Sequence, residues 1–274
     1  MSIMKLSLGP QHPISAHFRF ILDVDGDVVL KLEPDIGYTH RGIEKLAEKR
    51  TYLQNLPIIE RTNSYCDSVG TMLGYLEVIE EIMGLDVPER AKYLRVIAAE
   101  LNRIASHLYF LSLTSIATGL ETMLMWPIND RELILDLLER LSGQRLTYTY
   151  PTIGGVRFDM PDGFKEEVLK RLDYLEKRLG DYYKMLAWNH TFQMRTKNTG
   201  ILKPSDAIKL GVVGPNLRAS GVKVDVRKDE PYEVYDRFEF SIPTGKNGDA
   251  YDRMEMRLKE IEQSIHTVSY THLT

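Results

Sequence analysis

Cysteine is nearly missing from this 274-residue chain: Cys66 stands alone. One thiol excludes an intramolecular disulfide framework, and it excludes any all-cysteine metal site or iron–sulfur cluster built from this chain alone. No apolar core of signal-peptide length follows the start MSIMKLSLGPQHP. The apolar stretch Ile104 to Leu120 lacks Asp, Glu, Lys and Arg, but it carries His107 and several hydroxyl residues. It falls short of the ~20 apolar residues that a spanning helix needs. Positive charge is not in excess either, with 35 Lys and Arg against 39 Asp and Glu, so a stand-alone nucleic-acid binder is not expected. Also missing are a GxGxxG after a strand, GxxxxGK[ST], HExxH, CxxC and GxSxG. Their absence removes the dinucleotide fingerprint, the phosphate loop, the zincin helix and the nucleophile elbow. The chemistry is therefore expected from residues shared across an interface, or from a cofactor held by a partner.

What is present is patterned apolar sequence. Phe18, Phe20, Leu22 and Val24 alternate, Asp25-Gly26 supplies a turn, and Val28, Leu30 and Leu32 alternate again. That predicts a hairpin within 8–34. Helical spacing then takes over. A short helix is expected from His40 to Leu53, ending before Pro57, and a second from Asp67 to Met83, stopped by Gly84. After Pro88, Leu94, Ile97, Leu101, Ile104, Leu108 and Leu111 form one stripe about five turns long. Asn129-Asp130 reads as the cap of the next helix, and Asp162 opens another with its stripe at Val168, Leu172, Leu175, Leu179, Tyr182 and Leu186. A short helix is expected at Ser205 to Leu210. The alternations Val222, Val224, Val226 and Phe238, Phe240, Ile242 predict a strand region at 222–243. A final helix is expected over 249–265. The string VSYTHLT resembles translated adaptor sequence, so 266–274 is expected to be a non-native tail. With no repeat and no low-complexity linker, 1–265 is expected to be a single domain, with its helical bundle over 38–198.

Five polar constellations stand out. Gly9-Pro10-Gln11-His12-Pro13, followed by His17, brings two imidazoles to a Pro-bounded turn. They exchange protons near neutral pH or merely cap backbone groups. His40-Arg41-Gly42 offers a permanent guanidinium suited to an anionic cofactor, or a solvated helix start. Glu60-Arg61-Thr62-Asn63-Ser64-Tyr65-Cys66-Asp67 combines a phenol donor with the lone thiol, which is more often inert than reactive. Glu100, Arg103 and His107 share one helix face, either as a buried network or as a surface ion pair with a satisfied histidine. Ser142-Gly143-Gln144-Arg145 and Gly154-Gly155 read as a helix stop and a tight turn.

Taken in order, GPQHP…H, IGYTHRGIEKLAE, RTYLQNLP, SGQR, IGGV…DMP, DEPYEVYD and GDAYDR resemble the D, or 49-kDa, family of subunits of NADH-quinone oxidoreductase, respiratory complex I. The resemblance runs from about Leu8 to Ile265, and family members continue further, so the chain resembles a C-terminally truncated member. It implies an α+β, mainly α, fold: a long-helix bundle of the nickel–iron hydrogenase large-subunit type, with a small N-terminal antiparallel sheet and a second short strand region. It implies a subunit of an oxidoreductase, inactive alone, that reduces a quinone with electrons from the iron–sulfur cluster of a partner of the B type. NADH and flavin would lie in other subunits, with C-type and membrane-embedded H-type subunits as further neighbours and no nucleic acid. The expected location is peripheral, on the cytoplasmic side of the cell membrane, in a proton-translocating complex. His17 and Tyr65 take the family's quinone-binding histidine and tyrosine positions, each after a one-residue shift. Gly9, Pro10, Gln11, His12 and Pro13 form the quinone loop. His40, Arg41, Glu60, Arg61 and Arg145 are expected to face the partner's cluster.

Departures accompany the resemblance. Ala117 stands where the family supports its histidine with an acid, and Thr147 where a histidine influences the cluster. In the hydrogenase comparison the slot for a CxxC reads Asn63-Ser64-Tyr65-Cys66, so no nickel–iron centre is expected. Two alternatives follow: a divergent hydrogenase-derived complex serving F420H2, ferredoxin or sulfur chemistry, and a non-catalytic docking scaffold.

Overall fold

The computed structural model describes residues 3–11 and 17–271. The chain divides into two compact units, Met1–Arg50 and Thr51–Thr274, where one domain was expected.

The first unit is a three-stranded antiparallel sheet in the order β1 (Met4–Leu8), β2 (Arg19–Asp25), β3 (Val28–Asp35), followed by the one-turn helix α1 (Ile43–Ala47). The expected hairpin is β2–β3, in which Asp25 pairs with Val28 around Gly26 at φ 58. Only a residue tolerant of positive φ closes so short a turn without strain. β1 pairs with β2 from Met4↔Val24 to Leu8↔Phe20, a strand the alternation did not announce because its side chains are mostly exposed.

The second unit is helical. α2 (Tyr52–Glu60) starts on a capping box, with Thr51 and Gln54 exchanging side-chain and backbone hydrogen bonds. Pro57 lies inside this helix instead of ending it. Burial of Leu56 against Met72 and Leu76 outweighs the one backbone bond that proline removes. α3 (Ser68–Met83) is capped by Asp67, whose carboxylate accepts from Gly70 N at 2.8 Å, and it stops at left-handed Gly84. α4 (Glu89–Ala117) buries its whole predicted stripe. α5 (Thr122–Ser142) begins a full two turns before the expected cap. Asp130 caps nothing; it is buried and accepts from Arg178 Nε at 3.0 Å and from the Tyr182 hydroxyl, tying α5 to α6 (Phe164–Tyr182).

Between these helices lie the paired strands β4 (Pro151–Thr152) and β5 (Gly155–Val156), a two-stranded sheet around the tight turn expected at Gly154-Gly155. Residues 222–243 form no strand among the described residues. Asp225 caps a short helix there, α10 (Val226–Asp229). Of the expected apolar positions only Phe240 is buried, joining Val234, Tyr235 and Val96 in a small core, while Val224 and Val226 are exposed. Backbone polar groups near Phe240 are met by side chains: Phe240 O accepts from Lys228 Nζ and Ser241 N donates to Gln263 Oε1. After α6 come a π-helical turn (Tyr183–Ala187) and the short helices α7 (His190–Thr196), α8 (Pro204–Lys209) and α9 (Gly214–Ala219). α11 (Ala250–Thr271) lies against α4 and runs past the expected end at 265, with Thr267, Val268 and Thr271 buried. The main core joins α4, α5, α6 and α11.

Candidate functional site

The second unit holds a cleft of ≈ 660 Å³ walled by α4, the loop before α3, the segment around α9 and α10, and α11. The long stripe of α4 fixes its position, because burying Leu101, Ile104 and Leu108 turns Glu100, Arg103 and His107 together toward the cleft.

These three side chains form a buried network with residues far along the chain. Glu260 of α11 sits at its centre, held by Arg103 Nη2 at 2.8 Å, Arg218 Nε at 2.7 Å and His107 Nε2 at 2.9 Å. Burial alone would raise the Glu260 carboxyl, but the His107 hydrogen bond and the Arg103 and Arg218 charges hold it far below its ordinary value. An ionised Glu260 only accepts, so His107 carries its proton on Nε2 and its Nδ1 is the acceptor. Burial pushes the His107 imidazole down to about 4, against the opposing pull of Glu260, so it is neutral at pH 7. Glu100 accepts from Arg227 Nη1 and the Tyr235 hydroxyl, each at 2.7 Å. Its burial is outweighed by Arg227 and Arg103, and it is lowered to about 2. Arg227 also grips Asp225 through Nε at 3.0 Å and Nη2 at 2.8 Å.

Arg257 is different. It makes no ion pair at salt-bridge distance among the described residues. It lies 3.6 Å from the Phe110 ring centroid and donates to Arg253 O at 2.7 Å and Asn216 Oδ1 at 3.2 Å. Burial lowers it to about 10, which leaves it charged at neutral pH. In the same lining burial pushes the Cys66 thiol up, away from the reactive thiolate. Burial also raises Asp67, although its bonds from Gly70 and Asn102 oppose this.

The expected site residues fall in both units. In the first, Gly9, Pro10 and Gln11 follow β1, and His17 is exposed just before β2, while His12 and Pro13 lie outside the described residues. His40 is exposed and its N–H donates to Gly37 O at 3.0 Å; Arg41 is exposed beside it. In the second, Tyr65 is exposed with its ring stacked on Tyr109, a residue of the cleft, at 6.5 Å. Arg131 covers the Tyr109 ring at 5.3 Å. Arg61 Nη1 donates to Pro57 O, closing α2. Glu60 is buried, and its carboxylate accepts from Thr149 N and Oγ1, both at 2.7 Å. Those two bonds hold Thr149 at φ 41, a left-handed conformation that a β-branched residue resists. Arg145 is exposed and paired with Glu132 at 2.6 Å. Ala117 ends α4, and Thr147 sits at φ 55 with its hydroxyl on Leu146 O.

Sequence reasoning missed Glu260, Arg218, Arg227, Asp225 and Arg257. The signal for Glu260 and Arg257 was their place on the buried side of an amphipathic helix, where charge needs a partner.

A sequence model of the family described as "Respiratory-chain NADH dehydrogenase, 49 Kd subunit" matches residues 117–272. The NADH-quinone oxidoreductase D subunit of Carboxydothermus hydrogenoformans is 49% identical, over 97% of this chain and 73% of that protein. Its namesake in Clostridium beijerinckii is 45% identical, over 97% and 72%. Among solved structures, a chain of the membrane-bound sulfane sulfur reductase, an archaeal respiratory membrane complex, superposes with a TM-score of 0.94 at 35% identity, covering 98% of this chain and 72% of that one. The chain therefore belongs to the 49-kDa subunit family of respiratory-chain NADH dehydrogenase.

Proposed function

We propose that this chain is the quinone-site subunit of a complex I-type NADH-quinone oxidoreductase. The observation that carries the reading is Arg257: a half-buried guanidinium with no carboxylate at salt-bridge distance among the described residues, on the wall of a cleft whose other arginines, Arg103, Arg218 and Arg227, are each paired with a carboxylate. A site that gathers two electrons and two protons onto a quinone needs fixed positive charge where oxygen becomes negative, and in a water-poor cleft that charge acts strongly. Arg257 supplies it here. A partner subunit of the B type would supply electrons from its iron–sulfur cluster. Tyr65, stacked on Tyr109, would donate a hydrogen bond to the headgroup, and His17 is proposed as a quinone-binding residue on its match to the family motif. Gly9, Pro10, Gln11, His12 and Pro13 are proposed as the quinone loop, and His40, Arg41, Glu60, Arg61 and Arg145 as cluster-facing residues, on the same motif matches. NADH and flavin belong to other subunits. The assembly would include C-type and H-type subunits, move protons through its membrane subunits, and hold this chain peripherally on the cytoplasmic side. Among the described residues no helix is long and apolar enough to cross a membrane.

The likeness to a sulfane sulfur reductase chain supports a second reading, in which the same cleft serves a hydrogenase-derived complex whose acceptor is sulfur or whose donor is ferredoxin or F420H2. The test is the assembled complex with His17→Ala, Tyr65→Phe or Arg257→Met. Quinone reductase turnover is expected to fall tenfold or more in each. Unchanged turnover in all three overturns the quinone reading, and turnover of polysulfide but not quinone by the parent complex selects the second.

A further inference from the structure

Two polar atoms of cleft-lining residues, Glu100 Oε2 and Arg103 Nη1, and the buried Ser264 Oγ have no partner of good hydrogen-bond geometry among the described residues. They belong together. Glu100 Oε2 and Arg103 Nη1 are 3.7 Å apart, too far for a hydrogen bond and close enough for one oxygen to bridge both. The Ser264 hydroxyl, on α11, is near enough to the same Glu100 carboxylate to help hold it ionised, without completing a hydrogen bond of good geometry. Glu100 is 1% exposed and Ser264 fully buried, yet Glu100 and Arg103 both line the cleft.

Buried donors and acceptors are rarely left unmet, because each orphan keeps its desolvation cost. Here the orphans are complementary. A carboxylate oxygen accepts only, a guanidinium nitrogen donates only, and a hydroxyl does either. An occupant that satisfies them must carry one O–H to give to Glu100 and one lone pair to take from Arg103. A carbonyl oxygen has no hydrogen for Glu100, and a carboxylate or phosphate oxygen is repelled by it.

We propose that Glu100, Arg103 and Ser264 form a subsite for a single hydroxyl oxygen. Two sources share that chemistry: a water molecule, or a hydroxyl of the reduced substrate. The second source rests on the quinone reading above; the first does not. With the oxygen bound, hydrogen bonds run unbroken from Tyr235 through Glu100 to the occupant, and on through Arg103 and Glu260 to His107. The subsite thereby links the cleft to two buried carboxylates.

The test is a structure of the assembled complex at about 2 Å, once as isolated and once with a short-chain benzoquinol. An oxygen within about 3.2 Å of Glu100 Oε2 and Arg103 Nη1 is expected in at least one state. A separate oxygen present in both states identifies water; one continuous with the benzoquinol ring identifies the substrate's hydroxyl. No oxygen in either state, with Glu100 and Arg103 closed onto each other, overturns the proposal. Ser264→Val gives an independent check by filling the space with methyl groups. It is expected to expel the oxygen, and where the ligand is the source it weakens benzoquinol binding about tenfold relative to benzoquinone; retention of the oxygen in this variant overturns the subsite. Failure of benzoquinol to bind anywhere counts against the quinone reading alone, since the as-isolated state still decides for or against a water.

Discussion

Two charged clusters hang from α4, and they are finished differently. Arg95 is fully buried, and each of its five N–H donors is used. Nε bonds Gly155 O, Nη1 bonds Glu80 and Glu233, and Nη2 bonds Glu80 and Thr152 O, all between 2.6 and 3.0 Å. The cleft cluster further along the same helix holds more charges but leaves Glu100 Oε2 and Arg103 Nη1 unmet, and Arg257 has no carboxylate at salt-bridge distance among the described residues. A complete cluster has nothing left to offer a ligand, so its role is to fasten α3, the β4–β5 turn and the 231–235 loop to α4. An incomplete cluster beside a cleft is stabilised by its paired members and keeps the rest for an occupant.

Breaking the complete cluster should cost most. Arg95→Ala leaves Glu80 and Glu233 buried without a counter-ion, and a loss of about 3–5 kcal/mol is expected in denaturant unfolding. A loss below about 1 kcal/mol would place those carboxylates in water and dissolve the contrast.

The cleft cluster should show itself through pH. Folding lowers His107 to about 4 from its ordinary value of about 6.5, so the unfolded chain binds more protons between those limits. Stability therefore falls as pH falls through that window, and this group accounts for about 2 kcal/mol between pH 7 and pH 5. His107→Gln should remove that slope, which unfolding midpoints at the two pH values would report. An unaltered slope would mean that another group titrates.

The smallest effect is expected where a group has no partner to lose. Ser264→Ala should change stability by less than about 1 kcal/mol, because among the described residues its hydroxyl completes no hydrogen bond of good geometry. A thermal shift as large as that of Arg95→Ala would show that the hydroxyl is bound to something essential.

Much of the fold was legible because α4, α6 and α11 each carry one uninterrupted stripe, and only a helix puts such residues on one face. Where reading failed, local and tertiary preferences conflicted. Pro57 and Asp130 carry strong boundary signals, yet burial of their neighbours and the Arg178 and Tyr182 bonds to Asp130 place both inside helices. The alternations in 222–243 mark no buried face, since Phe240 alone of those positions enters the core while Val224 and Val226 are exposed, and two periods are too few to separate a loop from a strand. At the site, Glu100, Arg103 and His107 were visible as one helix face, but whether that face was solvated was not.

The sequence by itself determined the long helices α3, α4, α6 and α11, the β2–β3 hairpin and the family, since these depend on spacing and on residue blocks along the chain. Only the tertiary structure decided that the polar face of α4 is buried. Glu260 reaches His107 from 153 positions away and Arg227 reaches Glu100 from 127. Pairing at that distance is set by how helices pack, and packing depends on the shape of the whole core, which no local pattern encodes.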